Sequence, residues 1–536
     1  MNTATAEAPA EQTEATLEQE SATAPLSLTA SLALAALSVG LLTLAGPFAH
    51  LSGLAWIAAV PFLVAVRGQG AKRGAVLGLL FGWMYQGISL YWLIRFGLVA
   101  PIAAGLIKST PYIALGAYLG WMRPRTSWLY AFTAACAWCV EEYIQSSGSI
   151  GFNLGMLANT QARHPWLLQI GSLLGPWALS FVIAMTNAAV ADWCWRIYAE
   201  YRGKRDAAAL KALYRIWRPE HPTFVPVCWA LGLLAATMCF GIARWHTYQT
   251  ETGEPLTVGL VQLAADQSEK FDVACLQKLL SMSRQAAKQG STVIIWPETS
   301  MPYKNFNKRS QVMSRLRRKA KAMNAWLMIG GIAQDANQGK RNRIYALDTR
   351  GRITGTYDKR HLVPFGEFLP FESYWPDLPV LRQIPRFQAG DKLTPLKADG
   401  CSFGILICFE SMITTIPREL VRSGAEVLAV PTNDGWFGHS AELPAHFDMA
   451  IMRAVETGRY IMQAGNTGIS GFVDPLGRVL QESEIDKPTV MTEKVYKHSD
   501  MTLYMIIGDL LPYAMIIWLT VFIADRKRSP KLFQCL

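Results

Sequence analysis

The run Gly404-Ile405-Leu406-Ile407-Cys408-Phe409-Glu410 decides how the C-terminal half of this chain is read. It is short, apolar and rich in branched side chains, as a strand buried on both faces is, and it stops on a thiol and a carboxylate. Ile294-Ile295-Trp296-Pro297-Glu298-Thr299 repeats the pattern with a carboxylate at its end. Tyr357-Asp358-Lys359-Arg360-His361-Leu362-Val363-Pro364 places an ammonium in the same situation. Strand-like runs near 256–261, 292–296, 326–332, 403–408 and 426–431 alternate with amphipathic stretches near 272–289, 307–322 and 442–459. Strands alternating with helices at this spacing predict an α/β domain over 245–500. About 250 residues suffice for one well-buried core.

On either side of this domain the sequence changes character. Apolar runs near 28–47, 52–66, 75–94, 98–121, 128–145, 165–193, 225–244 and 503–524 approach the ~20 residues that cross a bilayer. We therefore expect a membrane domain over 27–244 with seven transmembrane helices, and a final transmembrane helix at 501–524. Hydrophobic residues make up 51% of the chain and charged residues 17%, so a soluble bundle of these helices would lack a polar cover. Arg67, Lys72 and Arg73 share one loop, Arg123 and Arg125 the next basic one, and Arg196, Arg202, Lys204, Arg205, Lys211, Arg215 and Arg218 a third. Arg526, Lys527, Arg528 and Lys531 follow the last span. These loops fall on one side only if all eight spans cross, which makes both termini cytoplasmic, 525–536 a cytoplasmic basic tail, and 245–500 extracytoplasmic.

Residues 1–26 hold Glu7, Glu11, Glu14, Glu18 and Glu20 and no Lys or Arg. They read as a disordered acidic tail, not as a signal peptide, which would carry a basic start. The formal charge of +11 sits between apolar runs, a placement that argues against nucleic acid as partner and for the lipid bilayer. The nine cysteines lack metal-ligand or disulfide-framework spacing, so no metal site is expected. Cys136 and Cys139 lie inside an apolar run, away from the βα turn a redox pair would use. No Gly-rich phosphate loop is present, and no cofactor is expected.

Strand ends in α/β domains face a crevice. A carboxylate, an ammonium and a thiol gathered there would supply a base, an oxyanion clamp and a nucleophile. Taken singly, each has a plainer reading: a cysteine after an apolar strand is usually core, and a lone Glu or Lys at a strand end is usually solvated. The surrounding words weigh against that. Trp296-Pro297-Glu298, Lys359 with Glu367 in Pro364-Phe365-Gly366-Glu367-Phe368, Cys408-Phe409-Glu410, Asn433-Asp434-Gly435-Trp436-Phe437-Gly438, His446-Phe447-Asp448 and Asn466-Thr467-Gly468-Ile469-Ser470 together resemble the nitrilase superfamily. They are more closely similar to its apolipoprotein N-acyltransferase family, and the resemblance covers essentially the whole chain.

The resemblance implies an αββα sandwich carrying a triad of Glu298, Lys359 and Cys408. It implies supporting roles for Glu367, which we assign to orienting Lys359, for Phe409 and Glu410 beside the nucleophile, and for Asn342. Phe409 stands where many members have Tyr. The implied reaction moves a fatty acyl group from a membrane phospholipid, through a thioester on Cys408, to the α-amino group of a diacylated apolipoprotein at the bacterial inner membrane. Phe365, Phe368, Leu369, Trp436 and Phe437 are candidates for the surface through which lipid reaches the site, with burial in the core as the plainer alternative. A membrane-tethered amidase would use the same triad with water as acceptor. A transporter with an outer receptor domain would need charged or broken helices deep in the bundle and leaves the Glu-Lys-Cys words without purpose.

Overall fold

A computed structural model of the chain describes residues 24–122, 126–201, 224–267, 272–301, 311–335, 339–374, 376–377 and 379–528. Most of the expected acidic tail lies outside those residues, as do Arg123, Arg125, the loop cations from Arg202 to Arg218, and Lys531. The chain divides into two compact units, one made of Met1–Tyr143, Ser180–Ala236 and Leu511–Leu536, the other of Ile144–Leu179 and Thr237–Leu510.

The first unit is helical. Among the described residues, three helices are long and apolar enough to cross a membrane, Leu28–Ala45, Pro176–Ala199 and Phe224–Thr247, and the bent pair Val99–Lys108 and Thr110–Trp121 makes a fourth if counted as one span. Ser52–Val66 and Leu510–Asp525 are apolar but shorter. Gly70–Ser89 and Ser127–Gln145 carry Lys72 and Arg73, and Glu141 and Glu142, within their length. The apolar run at 165–193, which is divided between the two units at Leu179, is not one helix: it is broken into Pro165–Leu168, Gly171–Leu174 and a long helix that starts at Pro176. The break follows from the sequence, since Gly175 takes φ +72° and a proline fits best at the first position of a new helix. Gly70–Ser89 and Thr110–Trp121 meet backbone to backbone, because a Cβ on Gly74 would stand 2.2 Å from the Gly116 carbonyl oxygen. Small residues permit such close helix pairs where lipid offers no hydrophobic drive.

The second unit holds two six-stranded sheets. Numbered in chain order, the strands are β1 (Pro255–Gln262), β2 (Val293–Ile295), β3 (Trp326–Asp335), β4 (Gly339–Leu347), β5 (Ile353–Asp358), β6 (Leu396–Ala398), β7 (Cys401–Ile405), β8 (Val427–Thr432), β9 (Ile461–Gly465), β10 (Gly471–Val473), β11 (Val479–Glu482) and β12 (Thr489–Tyr496). One sheet runs β12-β1-β2-β3-β4-β5 and the other β11-β10-β9-β8-β7-β6. Each has three parallel strands at its centre, β1, β2 and β3 in one and β7, β8 and β9 in the other, with antiparallel strands outside them.

Helices Val273–Lys288 and Gln311–Met323 cover the first sheet, packing Leu276, Leu279, Met313 and Leu316 against Val261, Ile294, Leu327 and Tyr345. Thr415–Arg422 and Glu442–Thr457 cover the second, and β1 meets β9 between the sheets. This is an αββα sandwich, its layers held by apolar faces that periods of 2 and 3.6 residues set out.

The unit also takes in Ile144–Leu179, a segment separated from the sandwich in sequence by the long helices Pro176–Tyr201 and Phe224–Thr247. Phe152 sets its ring edge-on to Phe409 at 5.2 Å, and Asn153 N–H reaches the Met412 carbonyl at 3.4 Å. Arg163 pairs with Asp448 at 2.7 Å and with Glu482 at 2.8 Å. Gln169 Nε2 donates to the Leu476 carbonyl at 2.9 Å, and Trp177 Nε1 to Asp509 at 2.9 Å.

Candidate active site

The carboxyl ends of the central parallel strands of both sheets converge, the usual crevice of an α/β fold. Glu298 lies just beyond β2, Cys408 beyond β7, Asn433 beyond β8 and Asn466 beyond β9, while Asn342 and Lys359 come from β4 and the end of β5. The Glu298 turn lies flat on β3 because residue 330 is glycine: a Cβ there would stand 2.6 Å from the Pro297 carbonyl oxygen and 2.8 Å from Thr299 N.

Lys359 is 2% exposed and sits between two carboxylates. Its Nζ donates to Glu298 Oε1 at 3.3 Å and to Glu367 at 3.1 Å. Asn342 Nδ2 bridges the same pair, 2.6 Å from Glu298 Oε1 and 3.1 Å from Glu367 Oε1. Glu298 Oε2 accepts from the Asn433 main-chain N–H at 3.1 Å, and Glu367 Oε2 from that of Val363 at 2.8 Å. Burial opposes the charge on Lys359, but Glu298, Glu367, Cys408 and Glu410 outweigh it, and the ammonium is held well above its ordinary range. The lysine is a fixed cation at any pH of interest.

Cys408 lies in the same cluster, 8% exposed. Burial pushes its thiol well up, with the charge of Glu298 adding to this and that of Lys359 opposing it. It therefore rests as a neutral thiol and needs a base to react. Its backbone takes φ +52° at the head of the short turn Cys408–Met412, a conformation rare outside glycine and typical of functional turns.

Glu410 ties the site's main chain together. Its carboxylate accepts from Tyr357 Oη at 3.0 Å and from the main-chain N–H groups of Arg360 at 2.6 Å, His361 at 3.1 Å and Ile407 at 2.7 Å. One side chain thus binds the end of β5, which carries Lys359, to the residue preceding Cys408. Phe409 is half-buried between Phe152 and the His361 ring, 6.0 Å away. Burial and the Lys359 charge hold His361 down at about 4, so it is a neutral imidazole.

A model of the Carbon-nitrogen hydrolase family matches residues 257–496, and one of the Apolipoprotein N-acyltransferase N-terminal domain matches 38–189. Apolipoprotein N-acyltransferases align along nearly the whole chain. That of Geobacter metallireducens is 28% identical over 92% of this chain and 95% of its own, and that of Thermotoga maritima is 26% identical over 93% and 94%. The enzyme of Gloeobacter violaceus is 29% identical over 91% and 92%.

The chain belongs to the apolipoprotein N-acyltransferase family.

Among solved structures, Nit3 of Saccharomyces cerevisiae is similar at 18% identity, with a TM-score of 0.38 over 52% of this chain and 96% of that one.

Within this acyltransferase-family site, the five residues considered for lipid access part company. Phe365, 39% exposed, and Trp436, 50% exposed, present rings to the surroundings. Leu369 and Phe437 are buried, and Phe368 is intermediate. Phe437 turns its ring edge to His446 at 6.1 Å, so it is a wall of the core. Phe371 and Tyr374, in the loop that carries Phe365, are more exposed still; the aromatic spacing of 365–374 was their only signal. Sequence reasoning also gave no role to Asn433, His446 or Asp434, although each stands in the words that carry the family resemblance. Cys408, Asp434 and His446 offer ligand atoms within 4.8 Å of one another, but both His446 ring nitrogens are engaged in hydrogen bonds to protein.

Proposed function

We propose that Glu298, Lys359 and Cys408 transfer a fatty acyl group from a membrane phospholipid to the α-amino group of a diacylated apolipoprotein. The observation that carries this reading is the buried Lys359 ammonium, placed between the Glu298 and Glu367 carboxylates with the neutral Cys408 thiol beside it. Glu298 takes the thiol proton as sulfur attacks the ester carbonyl. The carbonyl electrons move to oxygen, where Lys359 stabilises the oxyanion by about 3 kcal/mol, the typical worth of one aimed donor. Collapse expels the lysophospholipid alkoxide, which takes the proton from Glu298 and leaves a thioester. In the second half the acceptor amine attacks, Glu298 receives its proton, and collapse returns the electrons to sulfur, which regains the proton. Glu367 and Asn342 act on Lys359 and Glu298 and do not touch substrate.

A site that handles two lipidic molecules needs a wet-to-apolar edge. The exposed rings of Phe365 and Trp436, joined by Phe371 and Tyr374, fit that edge. This reading puts the catalytic unit on the periplasmic side of the inner membrane with both termini in the cytoplasm, and the distribution of basic residues among the loops, counted over eight spans, supports it.

The test uses the purified full chain and a phospholipid with a labelled acyl group. An acyl mass on the Cys408 peptide, absent from Cys408→Ser and discharged as an amide when a diacylated peptide is added, is the expected result. Label released as free fatty acid in place of amide would indicate a hydrolase. An acyl mass on a different residue overturns the triad.

A further inference from the structure

His446 and Asp434 are fully buried next to the nucleophile, and the acyl-transfer mechanism uses neither. His446 comes from the second turn of helix Glu442–Thr457 and Asp434 from the turn after β8. The imidazole bridges two partners. Its Nδ1 lies 2.9 Å from Asp434 Oδ1, and its Nε2 lies 3.1 Å from the Cys408 carbonyl oxygen and 2.9 Å from Ser411 Oγ. Ser411 Oγ itself donates to the same carbonyl at 3.0 Å.

The protons follow from these partners. A carbonyl oxygen only accepts, so Nε2 carries a hydrogen. Asp434 Oδ1 also accepts from Thr432 Oγ1 at 2.6 Å, so it faces Nδ1 as an acceptor, and Nδ1 donates to it. Burial works against an imidazolium, but Asp434 through charge and hydrogen bond, and Cys408 through its carbonyl, hold the ring above its ordinary pKa. Glu442 and the Cys408 thiol also face it, and Phe437 closes one side.

A buried ion pair is a poor source of stability, since desolvation consumes most of its attraction. What it secures here is geometry. Cys408 holds a left-handed φ, a strained conformation that persists only where the surroundings over-determine it. Two donors on the Cys408 carbonyl fix the peptide plane that follows the strained residue, and one of them is itself fixed by Asp434. We propose that His446, oriented by Asp434, is a positioning residue whose Nε2–H holds the Cys408 turn in the conformation that presents Sγ to Glu298 and Lys359. This rests on the triad reading above.

Two amides separate the two ends of the ring. Glutamine at 446 can place a donor where Nε2 stands, and asparagine where Nδ1 stands. In single-turnover acylation of Cys408 from labelled phospholipid, His446→Gln is expected to keep a rate within about fivefold of wild type. His446→Asn and His446→Leu should slow it about 30-fold with KM for phospholipid unchanged, the loss that one charge-assisted hydrogen bond predicts. A general structural role would not rank Gln above Asn. Wild-type rates in the Asn variant, or a Gln variant as slow as Leu, overturn the proposal. Should the His446 variants not fold, Ser411→Ala removes the other donor on that carbonyl, and an unchanged acylation rate there overturns it equally. If wild type forms no thioester on Cys408, the triad reading fails; if wild type forms it and the variants match it, only this inference fails.

Discussion

Asn342→Leu is the sharpest probe of the cluster around Lys359. The asparagine is 2% exposed and its one amide nitrogen reaches Glu298 at 2.6 Å and Glu367 at 3.1 Å. Leucine fills nearly the same volume but donates nothing. Each lost hydrogen bond to a charged group is worth about 1.5–3 kcal/mol, and only the bond to Glu298 bears on the proton transfer. Glu298 keeps the donors Lys359 Nζ at 3.3 Å and Asn433 N at 3.1 Å, so its carboxylate stays in place but less firmly aimed. Acylation of Cys408 should therefore slow by about 10- to 150-fold. Asn342→Asp should be worse, since it sets a third carboxylate at hydrogen-bond distance from two others. The assay is single-turnover formation of the Cys408 thioester, normalised to the folded fraction from thermal melting. A folded Leu variant that acylates within threefold of wild type, or an Asp variant faster than Leu, refutes the view that this amide orders the base.

Other perturbations test separate parts. Glu410→Gln cannot accept from both the Ile407 side and the Arg360 side, so one buried N–H loses its partner; a stability loss of ~1–3 kcal/mol and slower acylation are expected, read by melting temperature and thioester yield. Burial pushes the Glu442 carboxyl up to about 8, with Asp434 adding to this and His446 opposing it. That is above its unfolded value of about 4.3, so the stability it contributes is full below that value and is lost as pH rises toward 8. Glu442→Gln should accordingly narrow the gap between melting temperatures at acidic and mildly alkaline pH; a gap equal to wild type contradicts the shift. Phe365→Ser together with Trp436→Ser should raise KM for phospholipid in vesicles with little change in kcat, whereas an unchanged KM would remove these rings from the lipid's path.

Much of the sandwich is legible because its signals are local. The apolar runs that become β1, β3, β7 and β8 and the amphipathic stretches that become their covering helices need no tertiary knowledge. Glu298, Lys359 and Cys408 each end such a run, but that position alone also fits core or solvated side chains, and it is the surrounding words with their family resemblance that single the three out. The turn geometry is less accessible. Cys408 lies past the end of β7, in a left-handed conformation that no residue near it announces. Glu410 reads as a neighbour of the nucleophile, yet its four donors come from residues around 357–361 and from Ile407, a relation only folding creates. His446 and Asp434 are likewise partners across sequence. Along the apolar runs, total apolarity hides breaks: 165–193 passes as one span because Gly175 and Pro176 count little in a hydropathy average, while their backbone preferences stop and restart the helix.

The adherence of Ile144–Leu179 to the sandwich bears on how this catalyst can be handled or inherited. A fragment cut at 245 and 500 would lose Phe152 beside Phe409, Arg163 from Asp448 and Gln169 from the Leu476 carbonyl, and would lack Asp509 as well. The chemistry and its lipid-embedded neighbour are thus interlaced along the polypeptide, so neither is a cassette that a single crossover could move to another protein.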